Sequence, residues 1–479
     1  MSFLTPSYLL FFPAVAALYF LLPRGAKNPW LLLCSWAFYL YAGPKYFVFL
    51  LFAIVSTYLA GLAIAKRRSR LPLVLALGAN LGMLFAFKYL GFAAGLLDRA
   101  LALLGVDAVL PGFELILPLG ISFYLFQAMG YVIDVYRGKR EAQRDFIRYA
   151  LFVSFFPSLL SGPIGRSDQL LPQFDEPHAF SYDRMRSGLI RFLWGAFQKL
   201  VVADRLSLWL TPAFASPENY STGQLWFAAA AFSIQIYCDF SAYSDMASGC
   251  AEVMGFKLIQ NFRTPYFSRS IQEFWRRWHI SLSTWFRDYL YIPLGGGRRG
   301  TVRKYVNVLI VFAVSGLWHG AALTFVVWGL LNGAYQVIGG VTLPARRAVR
   351  RALHMGEEAK ITVLWQILCT FVLATAAWVF FKAGSLTSAL SLLEGMIIPR
   401  AGAGLTLTGG LRELTVTAAA LLAVLAHDIW SLRVDVPIRL VQGSRALHWV
   451  LCLGILMAAL IFGVYGPGYD AQDFIYFKF

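Results

Sequence analysis

Acidic side chains are scarce in this chain. Asp and Glu number 25 against 42 Lys and Arg, and charged residues make up only 14 % of 479 positions. Soluble domains carry about 25 % charge, so a water-exposed globular fold is excluded. Apolar types fill 58 % of the sequence instead, gathered into repeated long runs that point to a polytopic helical membrane protein. The runs are continuous rather than alternating, which excludes a transmembrane β-barrel. Cysteine is equally sparse. The five, at 34, 238, 250, 369 and 452, form no CxxC and no metal-type spacing, so neither a disulfide framework nor a zinc site is indicated. Packing in apolar surroundings is their expected role. No soluble domain, long linker or low-complexity tract interrupts the chain, which reads as a single integral-membrane domain over 1–479. The first 22 residues lack a basic n-region and a small-residue cleavage site, and read as a first membrane helix rather than a removed signal peptide. The net charge of +17 is the positive-inside bias of a membrane protein, not a nucleic-acid footprint.

Apolar spans are expected at about 8–22, 30–41, 46–65, 71–90, 115–135, 189–210, 225–238, 306–318, 321–337, 363–381, 414–427 and 450–464. Basic clusters at Lys66–Arg70 and Arg137–Arg144 mark cytoplasmic loops and put the N-terminus and the 91–112 loop outside. Residues 211–223 carry no Lys or Arg and suit the outer face.

Several stretches are too polar for plain lipid contact. The segment from Leu117 to Gly138 carries Ser122, Tyr124, Gln127, Tyr131, Asp134 and Tyr136. These side chains line a tunnel or hydrogen-bond between helices. Pro157, Gly162, Pro163 and Gly165 bend the backbone after it. Lys199 is five residues from Asp204, a loose spacing on an α-helix, so further partners are expected. Asp239, Ser241, Tyr243, Ser244 and Asp245 crowd together as if around a polar cavity. Asp239 and Asp245 offer too few oxygen ligands to argue for a metal site.

The densest chemistry lies between Gln272 and Gly320. Trp275, Trp278, Leu282, Trp285 and Tyr289 are spaced 3, 4, 3 and 4 apart, which predicts one apolar stripe on one helix. Arg276 and Arg287 return to a shared face, as do Arg277 and Asp288. Such a helix suits a membrane surface or a cytoplasmic mouth. The arginines from Arg263 to Arg303 assign the whole 263–304 segment to the cytoplasmic side. Its LGGGRRG turn is glycine-rich, which with arginines can hold phosphates. The apolar runs flanking it require the chain to reverse near His319–Thr324, because Arg346, Arg347, Arg350 and Arg351 return it to the cytoplasm.

Of the six histidines, His178, His354 and His448 sit in polar or basic sequence that reads as surface. His427 closes a span, and His279 lies inside the Trp/Arg segment. His319 alone sits at membrane depth among apolar residues, beside Trp318 and four after Ser315. A neutral imidazole there could take the proton of a hydroxyl attacking an ester or thioester. It could equally be a satisfied packing histidine. No GxSxG elbow is present, which argues against a covalent serine hydrolase.

RRWHISLSTWFRDYLYIPLGG, then SGLWHG, with FFPSLLSGPIGR upstream and AWVFFKA and FIYFKF downstream, resemble the membrane-bound O-acyltransferase family. The similarity runs over essentially the whole chain and lies with the bacterial alginate O-acetyltransferase-like branch, whose relatives O-acetylate peptidoglycan or D-alanylate teichoic acid. Lys382 stands where that family usually has Arg and keeps the charge. The resemblance implies an all-α ring of tilted helices around a through-membrane tunnel, with re-entrant and interfacial helices. It implies that His319 matches the active-site histidine and His279 the second histidine of the WHIS motif. It implies acetyl-coenzyme A as cytoplasmic donor, with no permanently bound cofactor and no metal, and an outer glycan or secreted SGNH-type acetyltransferase as acceptor, in the cytoplasmic membrane of a bacterium. Arg276, Arg277, Arg287 and Trp278 are then candidates for holding the donor. Trp318 and Ser315 would shape the site, and Asp288 would pair with Arg277 or orient His279. Two other readings stay open: transfer of D-alanine or another acyl group from a carrier-protein thioester, and a glycan or lipid transporter with His319 as a proton relay.

Overall fold

The computed structural model describes residues 1–106, 115–176, 178–402, 410–465 and 474. These residues form helices joined by turns, without a strand among them. Eight of the described helices are long and apolar enough to cross a membrane: Pro44–Arg67, Arg70–Lys88, Thr222–Met254, Thr301–His319, Leu323–Val341, Lys360–Lys382, Gly410–Ser431 and Arg445–Phe462. The multi-pass architecture read from the sequence is what forms. The C-terminal FIYFKF stretch lies outside the described residues except for Phe474.

The chain divides into two compact units. One comprises Met1–Gly188, Ala247–Ile259 and Ala471–Phe479; the other comprises Leu189–Met246 and Gln260–Asp470.

In the first unit, the polar 117–138 segment contains a buried helix, Ile121–Tyr136. Three of its polar residues, Gln127, Tyr131 and Asp134, bond to neighbouring backbone and side chains. The Gln127 amide donates to the Phe152 carbonyl and accepts from the Gly165 N–H at 3.0 Å. Ser167 donates to Asp134 at 3.1 Å, and the Tyr131 hydroxyl accepts from the Gln143 N–H at 2.8 Å. Burial without water demands such partners, and the bent 157–167 segment helps supply them. Two expectations change in this unit. The 91–112 segment, expected as a loop, is helical over Leu90–Leu103, its apolar residues favouring a helix; 107–112 lie outside the described residues. His178 is half-buried rather than a plain surface residue, edge-on to Phe256 at 4.8 Å.

The second unit holds the 263–320 stretch. The Tyr182–Phe197 helix runs into a π-helical turn, Gln198–Ala203, and then into Asp204–Ala215. A π turn stacks residues five apart, which removes the spacing objection to Lys199 and Asp204. The Lys199 ammonium lies 2.7 Å from Asp204 and 2.8 Å from Asp239. Asp245 pairs with Arg191 at 3.9 Å. No group of three or more potential metal ligands occurs among the described residues. His448, expected at the surface, is fully buried beside Cys452 at 3.7 Å. His427 stacks on Trp194 at 4.3 Å.

The expected Trp-striped helix is broken. Ile271–Arg277 and Ile280–Phe286 are separate helices, and His279 between them takes a left-handed backbone, φ 44°. The stripe therefore does not lie on a surface. Trp275, Trp278, Leu282 and Trp285 are all buried. Trp278 packs against Phe274, Phe262 and Trp378 at 5.0–5.4 Å.

The reversal expected near His319–Thr324 is a hairpin between Thr301–His319 and Leu323–Val341. Glycines let the two helices touch. A Cβ on Gly316 would strike the Phe325 carbonyl, and one on Gly329 would strike the Phe312 carbonyl. Small residues at such crossings give membrane helices their close packing. Gly329→Ala should therefore lower stability by roughly 1–3 kcal/mol, the cost of overpacking, seen as a lower thermal midpoint in detergent. Gly78→Ala is the control, since a Cβ there meets nothing within 4 Å. Equal midpoints for the two variants would remove the packing argument.

Candidate active site

His319 is the last residue of the Thr301–His319 helix, and the Gly320 N–H closes that helix on the Gly316 carbonyl at 3.3 Å. The helix end is therefore fixed by the glycine contacts of the hairpin. His319 is 2 % exposed. Its ring meets the faces or edges of Trp318 at 4.9 Å, Trp328 at 4.9 Å and Phe381 at 5.3 Å. His279 approaches from the helix break, with ring centroids 6.5 Å from His319 and 6.0 Å from Trp318. Two histidines forty residues apart in sequence thus share one aromatic chamber. Burial pushes the His279 imidazole down to about 3, so it is neutral at any working pH.

Two backbone hydrogen bonds and one to a side chain hold the break that presents His279. The Arg263 N–H donates to the Arg277 carbonyl at 2.9 Å, and the Ile280 N–H donates to the Asn261 carbonyl at 3.0 Å. The Ser281 N–H donates to the Asn261 side-chain oxygen at 3.1 Å. The 261–263 segment thereby serves orphan groups on both sides of the break.

A cavity of about 1720 Å³ opens in the same unit. Its wall includes Ser315, one helical turn before His319, and Trp275, whose ring contacts Trp328 at 5.6 Å. Trp328 in turn contacts His319. The Trp275 indole is fixed by donation to Asn332 at 3.1 Å. His319 thus lies behind the wall, one side chain from the cavity. The rest of the wall is largely apolar, with Arg269, Arg276, Arg287, Lys304, Arg346 and Arg350 set among these residues. A space lined by cationic and apolar residues suits a ligand that carries both anionic and apolar groups.

The sequence candidates separate on this geometry. Arg276 and Arg287 both line the cavity, although they stand on separate helical segments rather than on one shared face. Ser315 is on its wall, and His279, Trp318 and His319 form the chamber. Arg277 and Trp278 do not line the cavity. Arg277 pairs with Glu273 at 2.6 Å and donates to Thr264 at 3.4 Å. The pairing expected between Arg277 and Asp288 is not formed, because the break swings them apart; Asp288 holds Arg287 instead, at 2.7 and 3.2 Å. Sequence reasoning missed Asn261, which gives no local sign of its task. It also missed Lys304, Arg346 and Arg350 as cavity residues. For the last two a sign existed, since they stand four apart on the Leu343–Ala352 helix.

The comparisons with known proteins agree with this architecture. The profile of the membrane-bound O-acyltransferase family matches residues 143–383. The probable alginate O-acetylase of Pseudomonas putida is 38 % identical over 394 residues, 81 % of this chain and 78 % of that protein. The peptidoglycan O-acetyltransferase of Helicobacter pylori is 37 % identical over 432 residues, 82 % of this chain and 79 % of that one. The teichoic acid D-alanyltransferase of Bacillus subtilis is 29 % identical over 236 residues, 46 % of this chain and 58 % of that one. The matched region contains both histidines and most of the cavity wall, so the chain is an O-acyltransferase and belongs to the membrane-bound O-acyltransferase family.

Proposed function

We propose that the protein transfers an acetyl group from cytoplasmic acetyl-coenzyme A to a hydroxyl on the outer side of a bacterial cytoplasmic membrane. His319 is the general base. Its ring nitrogen takes the hydroxyl proton as the oxygen attacks the thioester carbonyl. The new C–O bond forms, the C–S bond breaks, and the proton passes to the leaving thiolate. His279, uncharged, donates to the carbonyl oxygen as negative charge develops there. Trp318 and Ser315 shape the space. Arg276 and Arg287, with Lys304, hold the donor phosphates. Arg277 and Trp278 act from behind, by fixing the segment that carries His279.

The observation that carries this reading is the position of Ser315. It lies on the wall of the cavity and one turn from the buried imidazole of His319. Relatives named for alginate and peptidoglycan O-acetylation support acetyl as the group and a polysaccharide as its destination. The acceptor is either the sugar hydroxyl itself or a secreted SGNH-type acetyltransferase that completes the transfer, and we favour the relay. No resident metal or cofactor enters this scheme.

Purified protein in liposomes with radiolabelled acetyl-coenzyme A tests it. Arg276→Gln and Arg287→Gln should each raise KM for acetyl-coenzyme A roughly three- to tenfold, the scale of an exposed charge-assisted contact. KM for S-acetyl-pantetheine, which lacks the nucleotide phosphates, should not change. Equal shifts for both donors would refute the phosphate assignment. Turnover that needs an acyl-loaded carrier protein and ignores acetyl-coenzyme A would replace acetyl transfer by the D-alanylation seen in the name of the more distant relative.

A further inference from the structure

We infer that Asn261 is a positioning residue for the reaction, because it caps the Ile280–Phe286 helix in place of His279 and so leaves the imidazole to the active chamber. The inference rests on the reading of His279 given above.

A helix start exposes N–H groups that need acceptors, and the residue at the N-cap ordinarily supplies one from its own side chain. Here the N-cap is His279, and it makes no side-chain capping bond to the helix. Its backbone is left-handed, φ 44°, a conformation uncommon for side chains other than Asn or Asp. Something else must pay for that conformation and serve the helix start. Asn261 does both. Its backbone carbonyl accepts from the Ile280 N–H at 3.0 Å and its side-chain oxygen from the Ser281 N–H at 3.1 Å. The amide is itself oriented, since its nitrogen donates to Ser244 at 3.3 Å. Asn261 is 2 % exposed, so water cannot take over either bond. Phe262, the next residue, packs on Phe240 at 5.1 Å, and Phe240 sets the His279 ring at 4.6 Å. Asn261 touches neither histidine ring. It determines where one of them points by fixing the peptide on its C-terminal side.

A residue that only stabilised the fold would not act through His279, and double mutants separate the two. His279→Asn is the reference background. Asparagine tolerates the left-handed backbone and is a good N-cap, so the variant should fold while losing the imidazole; turnover should fall about a hundredfold or more, as for a lost oxyanion donor. In the native background Asn261→Ala should lower kcat about tenfold or more, with KM for acetyl-coenzyme A unchanged within twofold, since a small misplacement of a reacting group costs rate rather than donor binding. Asn261→Asp, which keeps the acceptor oxygen, should recover most of that loss. In the His279→Asn background Asn261→Ala should lower the residual kcat no further. Should Asn261→Ala fail to give a monodisperse protein, Ser244→Ala decides. It frees the amide without removing it, and should cost a few fold in kcat in the native background and nothing in His279→Asn. Native kcat in Asn261→Ala, or in Ser244→Ala where that variant decides, overturns the proposal. So does an equal fractional loss in both backgrounds. Native turnover in His279→Asn itself overturns the role of His279, and this inference with it.

Discussion

Replacing His319 with alanine is expected to reduce acyl transfer by about 10²–10⁴-fold, the range contributed by a positioned general base. The expectation follows from where the ring sits. It is 2 % exposed and edge-packed by Trp328, Trp318 and Phe381. Truncation would leave a ring-sized void, and large-to-small changes in packed interiors cost about 2–5 kcal/mol. Lost activity in the alanine variant alone would therefore be open to a folding explanation. His319→Phe answers it. Phenylalanine has a similar shape and suits an aromatic cage, so this variant should keep a near-native thermal midpoint and still be inactive. His178→Ala is the matching control, because His178 packs on Phe256 in the other unit, and its turnover should be native. Acetyl transfer at the native rate by His319→Phe would end the general-base assignment, since nothing in a phenyl ring can carry a proton.

Much of this was legible in the sequence. The apolar runs, the basic loops and the reversal at His319 follow from hydropathy and charge. His319 is conspicuous as an imidazole in a row of apolar residues, but it is not singular: His279 and His448 are equally buried, and the sequence around them did not show it. Arg276 and Arg287 both line the cavity, although the break removes the single helix on which they were expected to share a face. Features set by backbone irregularity were not legible. The stripe of Trp275, Trp278, Leu282 and Trp285 fits one continuous helix, and nothing local announces that His279 turns left-handed. The cause of the break lies at Asn261, eighteen residues earlier. In the same way, Lys199 and Asp204 look mismatched on an α-helical ruler and meet only because the turn between them is π-helical. Buried irregular backbone is held by tertiary partners, and one-dimensional periodicity carries no trace of them.

The Lys199 site gives the largest expected effect on stability. Its ammonium is 2 % exposed and lies within 2.8 Å of both Asp204 and Asp239, which come from different helices. Two carboxylates converge on one cation in a setting with little water. The attraction there only offsets the cost of bringing three charges out of water, so the cluster as a whole adds little net stability. Its members are nevertheless tightly interdependent. Lys199→Met removes the cation, keeps the side-chain length, and leaves two carboxylates facing each other. Breaking a buried pair in this way costs about 3–5 kcal/mol, enough to exhaust much of the stability of an ordinary domain. The variant should unfold at a markedly lower temperature in detergent, or fail to accumulate as a monodisperse species. Lys199→Met combined with Asp204→Asn and Asp239→Asn removes every charge at once. If electrostatic compensation is what holds the π-helical turn, the triple variant recovers most of the loss despite carrying more substitutions. If it is as unstable as the single variant, the turn depends on the lysine stem and its packing rather than on charge, and the compensation argument fails.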